Sequence, residues 1–274
     1  MTGRPKSVDV VIADNQAQRN LEYSLSGQSR RPLDTFANQN TSLLILTRYN
    51  DTARSLRSFF NRRIPLWEGQ TRPSLEQLVD KVQGSAGDAR VLASAIVDFM
   101  GSVGKGFSPS AFGDTLLQEV RDACVARRTG KPAVIQELAK LLIREPDHRG
   151  VSKLLRRLHE LAASHAQFDD IKLDCLREFC DAVRLGDFDT VEAAMTGITN
   201  RRIYSRPQPP ARAISTIHKA KGLECESVLV LPCDAKTFPN RFDARCLLYV
   251  ALSRAKSRLM FVVPQSAPSP LLIV

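Results

Sequence analysis

Four stretches, SLLILT (42–47), RAISTI (212–217), SVLVLP (227–232) and RLMFVV (258–263), are continuous short apolar runs, not alternating ones. A strand with one wetted face alternates apolar and polar residues. A strand covered on both faces does not, and cover on both faces is the usual condition of a parallel sheet. VDVVIA (8–13) adds a fifth run of strand length. After SLLILT comes NDTARSLRSFFNRR, in which Ala53, Leu56, Phe59 and Phe60 fall at helical spacing and Asn50 or Asp51 is placed to cap the helix. IPLWEG (64–69) then reads as another short strand, which makes the segment a βαβ unit. DARCLLYVALSRAK (243–256) reads as a helix between the last two apolar runs. Both ends of the chain therefore carry one α/β texture.

The middle does not. From Pro73 to Ser205 the chain runs through SLEQLVDKV, DARVLASAIVDFM, FGDTLLQEVRDACVARR, KPAVIQELAKLLI, GVSKLLRRLHELAASHA, IKLDCLREFCDAVRLG and DTVEAAMTGIT. Each has Leu, Val, Ile or Phe at intervals of three and four, the stripe of an amphipathic helix. GSAGD, GKGFSPS, RTGKP and EPDHRG punctuate them as turns, and the stiff SRPQPPAR closes the block. The economical organisation is one discontinuous α/β domain (1–72 and 206–274) interrupted by a helical insertion (73–205).

Lys and Arg outnumber Asp and Glu by 39 to 29, a formal charge of +10, which favours a polyanionic partner such as nucleic acid. FFNRRIP (59–65) and TNRRIYSR (199–206) are basic runs suited to a phosphate backbone or to plain solvation. No apolar run reaches the length of a membrane span, and the first residues lack a signal-peptide core, so a cytoplasmic protein is expected. Cys124, Cys175, Cys180, Cys225, Cys233 and Cys246 form no CxxC pair and read as packed, reduced thiols; no metal site is expected. His148, His159 and His165 have no ligand-like companions, and Trp67 at the end of IPLWEG suits packing better than base stacking.

The chemistry gathers in STIHKAKGLECESVLVLP (215–232). In a parallel sheet, ligands collect at the carboxyl ends of strands, where RAISTI delivers Thr216, His218, Lys219 and Lys221. Lys221 offers a point charge to a phosphate, Gly222 lets backbone come close, and Glu224 can accept from sugar hydroxyls. In LLYVALSRAK (247–256), Tyr249 and Ser253 share a helix face, and Arg254 beside them has the character of a guanidinium that stabilises a transferring phosphoryl group.

Taken together, TIHKAKGLECESVLVLP and LLYVALSRAKSRLMFVV resemble motifs V and VI of the UvrD, Rep and PcrA family of superfamily 1 DNA helicases. LLILTRYNDTARSL (43–56) resembles an earlier segment of the same RecA-like domain, 2A, and the helical block stands where the family places its 2B insertion. The resemblance implies a RecA-like fold, ATP as substrate and Mg²⁺ beside it. It implies that Glu224 contacts the ribose, that Lys221 and Gly222 lie near the phosphates, and that Arg254 is the transition-state arginine. Thr216, His218, Arg48 and Asn50 would face single-stranded or partially duplex DNA, with unwinding from 3′ to 5′.

The departures are equally definite. No GxxxxGK[ST] loop and no Walker-type acidic pair are present; GSVGKG (101–106) and RTGKPA (128–133) are only Gly-Lys pairs. The QNYRS-like segment that opens domain 2A is missing too. The first RecA-like domain, with the phosphate loop and Mg²⁺ ligands, must therefore come from elsewhere: another part of a longer helicase or a partner chain. Alone, this chain is expected not to hydrolyse ATP. The rival reading is a non-catalytic module that binds DNA or a partner, a nuclease of a repair or anti-phage system among them.

Overall fold

The computed structural model describes residues 6–13, 30–69, 71–107, 112–205 and 208–272. The chain forms two compact units, Met1–Gly69 with Gln208–Val274, and Gln70–Pro207. In chain order the elements are β1 (Ser7–Ala13), α1 (Arg30–Gln39), β2 (Leu43–Thr47) and α2 (Asn50–Phe59). There follow α3 (Pro73–Gly84), α4 (Ala89–Val103), β3 (Gly104–Lys105), α5 (Asp114–Arg121), α6 (Lys131–Arg144) and α7 (His148–Ser164). The chain continues through β4 (Lys172–Leu173), α8 (Leu176–Val183), α9 (Val191–Ser205), β5 (Arg212–Thr216), β6 (Cys225–Val230), α10 (Phe242–Leu252) and β7 (Ala255–Pro264).

The first unit is a five-stranded sheet in the order β1-β7-β6-β2-β5, every pair parallel. The continuous apolar runs are explained by its two faces. Leu43 and Ile45 of β2 turn to one side with Leu229, Met260 and Val262, under Leu33 and Phe36 of α1, Leu56 and Phe59 of α2, and Phe60 just after it. Leu44 and Leu46 turn to the other with Val228, Val230, Leu259 and Phe261, under Leu247, Leu248 and Ala251 of α10. The fold is that of an α/β domain with a mostly parallel central sheet, consistent with a RecA-like fold.

Several local expectations change. IPLWEG is not a full strand but an isolated bridge, Leu66 beside Ile214, fixed by the Trp67 N–H on the Ile214 carbonyl and the Ile214 N–H on the Pro65 carbonyl. It stops because β5 is short and Gly69 turns the chain at positive φ. Neither Asn50 nor Asp51 caps α2: the cap position is Tyr49, without a side-chain bond, and Asp51 pairs with Arg54. The helix in DARCLLYVALSRAK ends at Leu252, so Ala255 and Lys256 belong to β7. RRPLDTFANQ forms a helix that the sequence reading passed over, though Leu33, Phe36 and Ala37 have the right spacing and are buried.

The second unit is helical around one core of Leu, Val, Ile and Phe side chains. Helix α5 stops at Arg121, earlier than its apolar pattern, because Ala123 and Cys124 take positive φ and the Cys124 N–H bonds to the Glu119 carbonyl. β3 and β4 form a two-residue antiparallel pair inside the block, also unforeseen. Ser108–Ser110 of GKGFSPS, and Arg206 and Pro207 after α9, lie outside the described residues. Among the described residues no helix is long and apolar enough to cross a membrane.

Candidate nucleotide and nucleic-acid site

In the sheet, β2 separates β5 from β6, and all three run parallel. The chain leaving β5 at Thr216 must therefore cross to the opposite end of the sheet before Cys225 can start β6, and it does so within residues 217–224. Ile217 and Ala220 are fully buried and Leu223 is half-buried, all packed into the core on the α10 face. That spacing leaves His218, Lys221, Gly222 and Glu224 exposed on the outer side. Backbone bonds hold the crossover as successive tight turns: Ala220 N–H to Thr216 O at 3.0 Å and Leu223 N–H to Ala220 O at 3.0 Å. Gly222 has a φ of +81°, and a Cβ there would meet nothing within 4 Å, so the backbone angle rather than lack of room calls for glycine.

Arg254 is tied to the far end of this crossover. Its Nη1 donates to Leu223 O at 3.0 Å, its Nε to Val250 O at 3.0 Å and its Nη2 to Ser253 Oγ at 2.8 Å. In return the Arg254 carbonyl accepts from Cys225 N–H at 2.9 Å. Glu224, next to these groups in the chain, pairs through Oε2 with Lys256 Nζ at 3.2 Å. Two distant sequence stretches are thus fastened together where β6 and β7 begin.

At the other end of the crossover lies a recess of about 340 Å³ lined by Arg48, His218 and Lys221 and by Phe242, Asp243, Cys246, Leu247 and Val250 of α10. Arg48 leaves the carboxyl end of β2 and is half-buried. Its Nη1 donates to Thr237 O at 2.6 Å and its Nη2 to Asp243 Oδ2 at 3.3 Å, so its charge is anchored on the recess wall. Lys221, assigned by sequence with the phosphate group, lines the same recess as Arg48 and His218, assigned to the DNA group. Thr216 is buried, and its Oγ1 accepts from Lys219 N–H at 3.4 Å, inside the turn. Asn50 is exposed on the first turn of α2.

Other sequence candidates settle into structural tasks. Trp67 is 6% exposed and donates Nε1–H to Lys219 O at 3.2 Å, so it buttresses the crossover from below and offers no face to a base. His148 is buried with Nε2 3.0 Å from Phe188 O. Gly101 of GSVGKG lies in α4 and Lys105 in β3, while Lys131 of RTGKPA faces Asp170 at 3.7 Å; neither segment is a phosphate loop. Two larger recesses, one beside α1 and one between α6 and α7, are lined by none of the residues assigned to ATP or DNA.

Sequence reasoning missed Phe242, Asp243 and Lys256. Asp243 and Lys256 matter through partners far along the chain, which spacing does not reveal. Phe242 opens the helix one residue before Asp243, outside the Leu247, Leu248 and Ala251 stripe, and the structure leaves it 82% exposed.

A family model described as the UvrD-like helicase C-terminal domain matches residues 121–266, more than half of the chain, including the whole of the crossover, α10 and β7. A comparison with curated proteins found no match.

Proposed function

Because the chain belongs to the UvrD-like helicase C-terminal domain family, we propose that it acts as the C-terminal motor half of an ATP-dependent DNA helicase. In this reading the sheet unit serves as domain 2A and the helical unit as the 2B insertion. ATP is held between domain 2A and a first RecA-like domain on another polypeptide segment or chain, which also supplies the phosphate loop and the Mg²⁺ ligands.

The observation that carries the reading is the crossover 217–224, short, pinned to the core, and bearing different chemistry at its two ends. Glu224 and Arg254 stand at the β6 and β7 starts; His218 and Lys221 stand in the recess with Arg48. A motor must make its hold on DNA depend on nucleotide state, and a ligand shifts an equilibrium only through unequal contacts with the two states. A pinned segment shared by two ligands meets that demand directly.

Arg254 is preorganised for its part. Three of the guanidinium's N–H groups are spent on Leu223, Val250 and Ser253, which fixes its plane, and the remaining donors of the fork are left for an anion. Its work is to meet charge that develops on the transferred phosphoryl oxygens. Glu224 accepts from ribose hydroxyls, and its pairing with Lys256 holds the carboxylate in place. The sequence assigned Lys221 and Gly222 to the nucleotide phosphates; in this proposal Lys221, on the recess side, instead joins His218 and Arg48 in holding the DNA backbone.

DNA-stimulated ATP hydrolysis tests the proposal, measured on the chain alone, on a first RecA-like domain alone, and on their mixture with and without Arg254→Ala. Turnover only in the mixture, reduced about 10³-fold or more in the variant, is the expected result. Salt-dependent DNA binding that ignores nucleotide in every mixture would instead favour a non-catalytic binding module.

A further inference from the structure

We infer that Phe242 is a base-stacking platform, which gives the recess at the amino-terminal end of the crossover a preference for single-stranded nucleic acid. The inference rests on the DNA-binding reading above and adds to it a residue that neither the motifs nor the family match assigns. A single exposed phenylalanine is ordinary on a protein surface and means nothing by itself. Here the ring, 82% exposed, lines the same recess as Arg48, His218 and Lys221. Arg241, just before the helix, and Arg245, within its first turn, are both exposed. Asp243, the one acid among the described residues of the recess, is engaged by Arg48 at 3.3 Å, which fixes that guanidinium beside the aromatic wall. Leu247 and Val250 supply an apolar floor.

An aromatic face among cations, over an apolar floor, is the combination that takes one nucleotide unit: the base lies on the ring and the phosphates on the cations. A duplex keeps its bases stacked on one another and cannot present one to Phe242 without unpairing. The recess therefore selects the unpaired strand by its base faces as well as by its charge. Phe242 does no evident packing work, because it is absent from the buried core on its side of the sheet. Its replacement should leave the fold intact.

Affinity of the full chain for an oligothymidylate is compared with that for an oligomer of equal length and backbone without bases, at two salt concentrations. Wild type should prefer the base-bearing strand by about 10-fold, and Phe242→Ala should erase that preference while keeping the salt dependence. Lys221→Ala should weaken both ligands together and lower the salt dependence. Tyr249→Ala, which removes another exposed aromatic of α10 outside the recess, should change neither. A preference for bases that survives in Phe242→Ala, or that Tyr249→Ala abolishes equally, overturns the inference while leaving DNA binding standing. Failure of wild type to bind either strand at low salt overturns the DNA reading itself and the inference with it.

Discussion

Arg254 stands where a helix gives way to a strand, and its side chain closes bonds to Val250 and Leu223 that no neighbouring residue can replace. Arg254→Lys keeps the charge but loses the planar fork, so it should lose turnover in the reconstituted motor nearly as completely as Arg254→Ala. Both variants should also lower stability by about 1–2 kcal/mol, read by urea denaturation, because a partly buried carbonyl is left unpaired. Cys233 offers a pH test. Burial pushes its thiol far above the ordinary value of 9.0, and it donates to Val230 O. The folded chain keeps this proton where the unfolded chain releases it, so the associated stability is whole below about pH 9 and falls as pH rises further. The slope is about 1.4 kcal/mol per pH unit. In denaturation from pH 8 to 10.5, stability should fall more steeply above about pH 9 in wild type than in Cys233→Ser.

Elements are held at their ends by residues far away in sequence. The buried Glu178 of α8 accepts from the N–H groups of Ser74 and Leu75 at 2.7 and 2.9 Å, doing for α3 what a capping side chain does locally. Glu178→Ala should cost about 2 kcal/mol, and Glu178→Gln less, since the amide oxygen can still accept. In α7, Asp147 caps through Arg149 N–H and Gly150 N–H. A glycine this early in a helix invites replacement by alanine, normally a gain of about 1 kcal/mol. A Cβ at Gly150 would stand 1.8 Å from Glu145 O, however, so Gly150→Ala should destabilise by about 1–3 kcal/mol in a urea melt. The existence of these helices was legible from their apolar spacing. Their limits were not: α5 ends at Arg121 because the Cys124 N–H folds back on Glu119, and IPLWEG stays a bridge because it meets only Ile214.

At the scale of the molecule, two units have separate cores, one on the two faces of a parallel sheet and one among helices. Thermal or urea unfolding followed by far-ultraviolet dichroism should resolve two transitions, and Gly150→Ala should move only the one belonging to the helical unit. A single transition shifted as a whole would show that the units unfold together. Local physics wrote much of this into the sequence. Unalternated apolar runs meant strands covered on both faces, and intervals of three and four meant helices. The spacing of Ile217, Ala220 and Leu223 left His218, Lys221 and Glu224 on the outer side of one short connection. Burial decides such patterns residue by residue, and burial preference is a property of each side chain. Strand order is not. That β5 and β6 flank β2, so that the connection must traverse the sheet, follows from pairing between residues more than 160 positions apart. Pairing of β6 with β7 brought Arg254 onto Leu223, and pairing of β2 with β5 set Arg48 beside the crossover that carries Lys221, because hydrogen bonds and cavities depend on where the chain returns.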